Sequence, residues 1–113
     1  MPRYVILDHD WPTRHWDLFL EEGDALLAWR LLGEPRLGAT VPAERLADHR
    51  KLYLDYEGPV SGDRGAVTRW DAGTFEWIER STEALELSVN GAKLVGRLRL
   101  VREGDHWKCE TPV

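Results

Sequence analysis

A single cysteine, Cys109, in 113 residues leaves nothing for it to pair with in an internal disulfide. The start, Met1-Pro2-Arg3 and a few mostly apolar residues, lacks the apolar core of a secretory leader. No run approaches the roughly 18 apolar residues of a spanning helix. These absences predict a soluble, cytoplasmic chain with no membrane partner. Excess positive charge is also missing: with a net charge of -5 and a pI near 5.3, broad binding to duplex DNA is not expected. Any nucleic-acid contact is expected to be local, with Arg14, Arg30, Arg45, Arg50, Lys51, Arg64 and Arg69 available for a small positive patch. For most of these charges a solvated mixed-charge face is the favoured reading. No repeat, linker or low-complexity tract divides the chain, so residues 1–113 are expected to form one domain with a real core. What is plentiful is tryptophan: 6 indoles need a core or a stacking surface, and some are expected near a ligand groove.

The patterning is that of strands. Tyr4 to Leu7 is a short β-rich run ending in Asp8-His9-Asp10, and Trp11-Pro12-Thr13 reads as a turn. From His15 to Glu21 the residues alternate, with Trp16, Leu18 and Leu20 predicted to face the core and His15, Asp17, Phe19 and Glu21 to face away. Glu22-Gly23-Asp24 turns the chain into a second strand ending near Leu32, followed by a loop over Gly33 to Pro42. Ala43 to His49 is compatible with a helix opened by Pro42 or with a strand, and periodicity does not separate the two. Gly58 to Gly65, with three Gly and one Pro, reads as a binding loop. Ala66 to Trp70 and Thr74 to Ile78 are expected to form a hairpin around Asp71-Ala72-Gly73, and Leu85 to Val89 and Lys93 to Val101 another around Asn90-Gly91. His106 to Glu110 is a last short strand. The prediction is an all-β fold: a small closed or partly open β-barrel of about eight strands with at most one short helix.

His15 and Asp17, one residue apart on a strand, point to the same face about 7 Å apart along the chain. His9, at the end of the preceding strand, can return beside His15 through the Trp-Pro turn. Two imidazoles and a carboxylate suit Mn²⁺, Zn²⁺, Fe²⁺ or Co²⁺ and leave positions open for substrate. Spacing alone favours ordinary surface or half-buried histidines over a metal site. His49 and Tyr53 point together on either a helix or a strand, and His106 has no companions.

Taken in order, His9-x5-His15-x-Asp17-x3-Glu21, Asp48-His49-x3-Tyr53, Tyr56-Glu57-Gly58, Gly65-Ala66, Trp70-Asp71-x-Gly73-Thr74-x-Glu76 and Gly91-x-Lys93-Leu94-x-Gly96 resemble the 3'-phosphoesterase domain of bacterial DNA ligase D, from about Tyr4 to about Arg102. The resemblance implies a β-barrel that binds a divalent metal, Mn²⁺ foremost with Zn²⁺ or Co²⁺ as alternatives, and removes 3'-phosphate or a 3'-ribonucleotide from DNA ends. It places the metal ligands on His9, His15 and Asp17, the phosphate-contacting histidine on His49 and its companion tyrosine on Tyr53. The implied partners are DNA 3' ends or a small phosphate ester, together with a DNA ligase or repair protein.

The chain departs from the family pattern where an arginine is expected to clamp the phosphate, for Phe19 stands there. The Trp-x-x-Pro-Lys-Gly segment is also broken, since Trp29 is followed by Arg30-Leu31-Leu32-Gly33. The family's N-terminal arm and the ligase and polymerase modules are not expected, which predicts a freestanding protein. Arg14 and Arg30 are the candidates to replace the lost arginine, and Arg30 is preferred because Arg14 has core parity unless its strand begins at His15. Losing such a donor costs on the order of 10²- to 10³-fold in rate. A module on the same fold that binds a nucleic-acid end or a protein without turnover therefore stands beside the enzyme, as does action on a small non-DNA ester.

Overall fold

The alternation of apolar residues along the chain produces strands almost throughout. A computed structural model describes residues 1–112. Its elements are β1 (Arg3–His9), β2 (His15–Glu22), β3 (Ala25–Leu31), β4 (Thr40–Arg50), a one-turn 3-10 helix η1 (Lys51–Leu54), β5 (Gly58–Pro59), β6 (Ala66–Arg80), β7 (Ala84–Gly91), β8 (Val95–Glu103) and β9 (His106–Glu110). All pairings are antiparallel. The order β1-β2-β3-β4-β9-β8-β7-β6 closes because β6 also pairs with β1, and closure leaves no free edge in the barrel. The ninth strand, β5, lies outside on the first half of β6. The chain is thus all-β with a closed eight-stranded barrel, as its patterning predicts.

Two apolar clusters lie on opposite faces of the wall. The larger draws on all eight barrel strands, from Tyr4, Ile6, Leu18 and Trp29 to Phe75, Leu87, Leu98 and Cys109, and fills the interior. The smaller, Val5, Leu7, Phe19, Leu26, Ala28, Leu54 and Val67, covers the outside of β1, β2 and β3 beneath η1. The even residues of β2 do face the core, but its odd face is not a solvent face. His15, Asp17 and Phe19 are buried too, because the segment from η1 to β5 folds over them.

Two turn expectations are corrected, and one alternative left open by the sequence is settled. Ala43 to His49 is strand, paired with β3, which settles the alternative that periodicity left open. Asp71-Ala72-Gly73 is not a turn: β6 runs unbroken from Ala66 to Arg80, with a bulge opposite Ile6 and Leu7. Asp71 instead turns its carboxylate inward and accepts the amides of Ala92, Lys93 and Leu94 on the neighbouring hairpin. That capture also moves the β7–β8 turn on from Asn90-Gly91. Asn90 pairs with Val95, and Gly91 N donates to Leu94 O at 2.7 Å, so Ala92 and Lys93 occupy the turn. Gly91 is needed for close approach, since a Cβ there would collide with the Tyr4 hydroxyl and the Asp71 carboxylate. Finally, the Gly58–Gly65 loop contributes the two residues of β5.

Candidate metal and phosphate site

The antiparallel register of β1 and β2 sets His9 directly opposite His15, with ring centroids 4.7 Å apart. Strand parity puts Asp17 on the same face. One ligand atom from each of the three residues lies within 4.8 Å of the others.

Backbone carbonyls fix which atoms these are. His9 Nε2–H donates to Arg64 O at 2.9 Å, so in the neutral ring Nδ1 carries the lone pair, and it lies 3.3 Å from Asp17 Oδ2. His15 Nδ1–H donates to Thr13 O at 2.9 Å, which leaves the lone pair on Nε2, 3.2 Å from Asp17 Oδ1. That second contact is too poorly aligned to be a hydrogen bond: His15 Nε2 and Asp17 Oδ1 are both buried without a partner. Three acceptors therefore face one another, an arrangement that costs free energy until something positive sits among them. A proton on one ring relieves one contact, whereas a divalent cation relieves both. Burial alone would lower the His15 pKa, the largest single effect, and the charge of Arg30 works the same way. The negative charge of the Asp17 carboxylate 3.2 Å away, with the Thr13 carbonyl, nevertheless holds it above its ordinary value. Orphaned buried atoms, a mixed nitrogen and oxygen set and carbonyls orienting both rings all fit a divalent metal.

Beside the triad lies a cleft of about 180 Å³, smaller than the ~300–1,000 Å³ of pockets that enclose drug-sized ligands. It has room for a small group such as a phosphoryl. His9, Asp17, Arg30, His49 and Tyr53 line it, while His15 lies behind, only 2% exposed. Arg30 stands opposite Asp17 on β3, and its Nε is buried with no hydrogen-bond partner. His49 reaches the cleft through a bulge. Leu26 pairs with His49 but Ala28 pairs with Leu46, so one extra β4 residue restores His49 to the face that simple alternation denies it. Its Nδ1–H donates to Ala47 O at 2.8 Å. Phe19 is 3% exposed and packs against His49 at 4.9 Å and Tyr53 at 5.9 Å between ring centroids, so the ring at the expected arginine position is in the cleft.

All six residues singled out from the sequence thus gather at one place. Arg14 does not: β2 begins at His15, and Arg14 forms a two-bond pair with Asp8 outside the cleft. His106 is exposed at the start of β9. Cys109 lies inside the barrel, where burial pushes its thiol up to about 12, so it is neither ligand nor nucleophile. Trp11 and Arg64 also line the cleft, although sequence reasoning places Arg64 only in a general positive patch and binding loop and Trp11 only among indoles some of which are expected near a groove. The carbonyls of Thr13 and Arg64 carry no side-chain signature.

Compared with known proteins, the chain matches the family model of the DNA ligase D 3'-phosphoesterase domain over residues 7–102, a span that includes every cleft residue. No curated protein matches it.

Proposed function

The chain belongs to the DNA ligase D 3'-phosphoesterase family, and from that premise we propose that it removes 3'-phosphate or a 3'-ribonucleotide from DNA ends, using a divalent metal held by His9, His15 and Asp17. The observation that carries this reading is the convergence of three acceptor atoms, two of them buried without a partner, beside Arg30, whose buried Nε has no partner either. Mn²⁺ is the first choice of metal, with Zn²⁺ or Co²⁺ as alternatives. A cation bound there supplies positive charge against that developing on the phosphoryl oxygens. Arg30 holds a phosphoryl oxygen with its planar donors, a cross-strand replacement for the arginine that Phe19 displaces. His49, oriented by Ala47 O, donates a proton to the phosphate or to the leaving oxygen. Tyr53 supports the phosphate from the far wall, and Phe19 keeps that wall free of water. A 3'-hydroxyl is the product, so a DNA ligase or repair protein in the cytoplasm is the implied partner.

Phe19 favours a second reading. An apolar ring buried at the donor position weakens turnover by about 10²- to 10³-fold if nothing compensates, leaving a module that binds strand ends without processing them. The deciding assay gives purified protein Mn²⁺ and either a 3'-phosphorylated primer–template or a small aryl phosphate, with His9→Ala alongside. Metal-dependent release from the primer–template that His9→Ala abolishes supports the enzyme. Release from the aryl ester alone moves the substrate to small phosphates, and release from neither leaves the binding module.

A further inference from the structure

Five of the six indoles are accounted for within the fold. Cations lie over four of them: Arg14 over Trp16 at 4.9 Å, Arg45 over Trp29 at 4.4 Å, Lys93 over Trp70 at 4.4 Å and Arg80 over Trp77 at 4.1 Å. Trp107 packs edge-on against Trp29 at 5.8 Å. Among the described residues Trp11 alone has neither a cation nor a ring against it, and it is 43% exposed. It is also the tryptophan that lines the cleft beside His9.

The stem of this exposed ring is held firmly. Asp10 Oδ1 accepts the Ala66 amide at 2.9 Å, tying the Trp11 loop to the start of β6. Gly65, at φ +73°, presses so closely that a Cβ would collide with Asp10 Oδ1 and Trp11 Cβ. On the same rim Arg64 is braced by Ser61, its Nε donating to Ser61 O at 2.7 Å, and it adds positive charge to the cleft. A fixed aromatic face thus stands at the mouth of a cleft smaller than the pockets that enclose drug-sized ligands. A nucleobase has the flat, sequence-tolerant π-face that such a platform stacks.

We propose that Trp11 stacks the terminal nucleobase of a 3'-phosphorylated strand and so sets the preference of the site for nucleotide ends over simple phosphate esters. The inference rests on the reading above for the position of the phosphate alone and requires no turnover.

The test titrates the intact chain, with Mn²⁺ present, into two 5'-fluorescein single strands that end in a 3'-methylenephosphonate that cannot be hydrolysed, one with a normal terminal nucleotide and one abasic there. By fluorescence anisotropy the wild type binds the base-bearing strand about 5- to 150-fold more tightly, the range of one base–aromatic stack. Trp11→Ala abolishes that preference while keeping the affinity for the abasic strand, which also shows that the variant is folded. Trp11→Phe keeps most of the preference. Equal wild-type affinity for the two strands, no binding of either, or an equal loss on both in Trp11→Ala overturns the proposal. A base preference without Mn²⁺-dependent release in the preceding assay sinks the phosphoesterase reading and leaves this one standing.

Discussion

Two aspartates are buried in this barrel, and their surroundings are opposite. Asp71, 2% exposed, accepts the Tyr4 hydroxyl at 2.8 Å and the amides of Ala92, Lys93 and Leu94 at 2.9, 2.9 and 3.0 Å, so both oxygens are saturated by donors. Asp17, 7% exposed, faces two imidazole nitrogens whose protons point elsewhere, and its Oδ1 has no partner. A buried carboxylate with all its donors supplied by the chain is structural: it closes a turn and joins it to the core. A buried carboxylate among acceptors is incomplete without something from outside. The burial of the two is almost the same, so hydrogen-bond completeness distinguishes them.

The largest break in that comparison is Asp71→Ala. It strands a buried hydroxyl and three turn amides at once, and even with partial rehydration of the turn the expected loss is about 3–5 kcal/mol. Urea unfolding reads this as a lower midpoint. The same variant still gains stability from Mn²⁺, since no triad atom has moved; a variant that fails to respond would mean that Asp71 is coupled to the site.

Next comes Arg30→Ala. If Arg30 has taken over from the missing arginine, release from a 3'-phosphorylated primer falls about 10²- to 10³-fold, with thermal stability little changed. A variant as fast as wild type removes Arg30 from the site. Phe19→Arg sharpens the result by restoring a donor on β2: a faster rate shows that the cleft lacked charge, and an unchanged rate shows that Arg30 already supplied it.

These experiments also separate what the sequence shows from what it hides. The side of β2 that carries His15 and Asp17 follows from period-two alternation, and their return beside His9 follows from a short connection between antiparallel strands. The cross-strand neighbour of Asp17, Arg30, becomes visible once Glu22-Gly23-Asp24 is read as the turn. His49 is different. Its side is set by a bulge near residues 47 and 48, and a one-residue irregularity has no periodic signature, so the resemblance to a family placed it rather than the pattern. Asp71 hides its role for a related reason. Asp-Ala-Gly has the composition of a turn, and only tertiary contacts reveal that the aspartate caps a turn elsewhere in the chain. The same holds for the buried odd face of β2, which depends on a cover contributed by η1, more than 30 residues away.

Metal addition gives a smaller but more selective effect. A cation that binds only the folded chain stabilises it by about 2.7 kcal/mol at a free concentration 100 times its dissociation constant. Mn²⁺ therefore raises the melting temperature of the wild type, and EDTA reverses the rise. His9→Ala removes the response. A melting temperature indifferent to Mn²⁺, Zn²⁺ and Co²⁺ in the wild type would leave the three converging acceptors without the cation assigned to them.

The smallest effect is the one whose sign distinguishes the two aspartates most directly. Asp17→Asn keeps the shape of the side chain but replaces one acceptor oxygen with an amide that donates. In the metal-free chain that NH₂ group faces the lone pair of His9 Nδ1 or His15 Nε2, converting a contact between two acceptors into a hydrogen bond worth about 1 kcal/mol. Metal-free stability is therefore expected to hold or rise by that amount, while the Mn²⁺ response and phosphate release are lost together. The same exchange at Asp71 must lower stability, because an amide there sets a donor against the Tyr4 hydroxyl or the turn amides. Paired urea titrations of the two variants in EDTA measure both. If both lose stability alike, Asp17 is a structural carboxylate like Asp71, and the triad loses its claim to a cation.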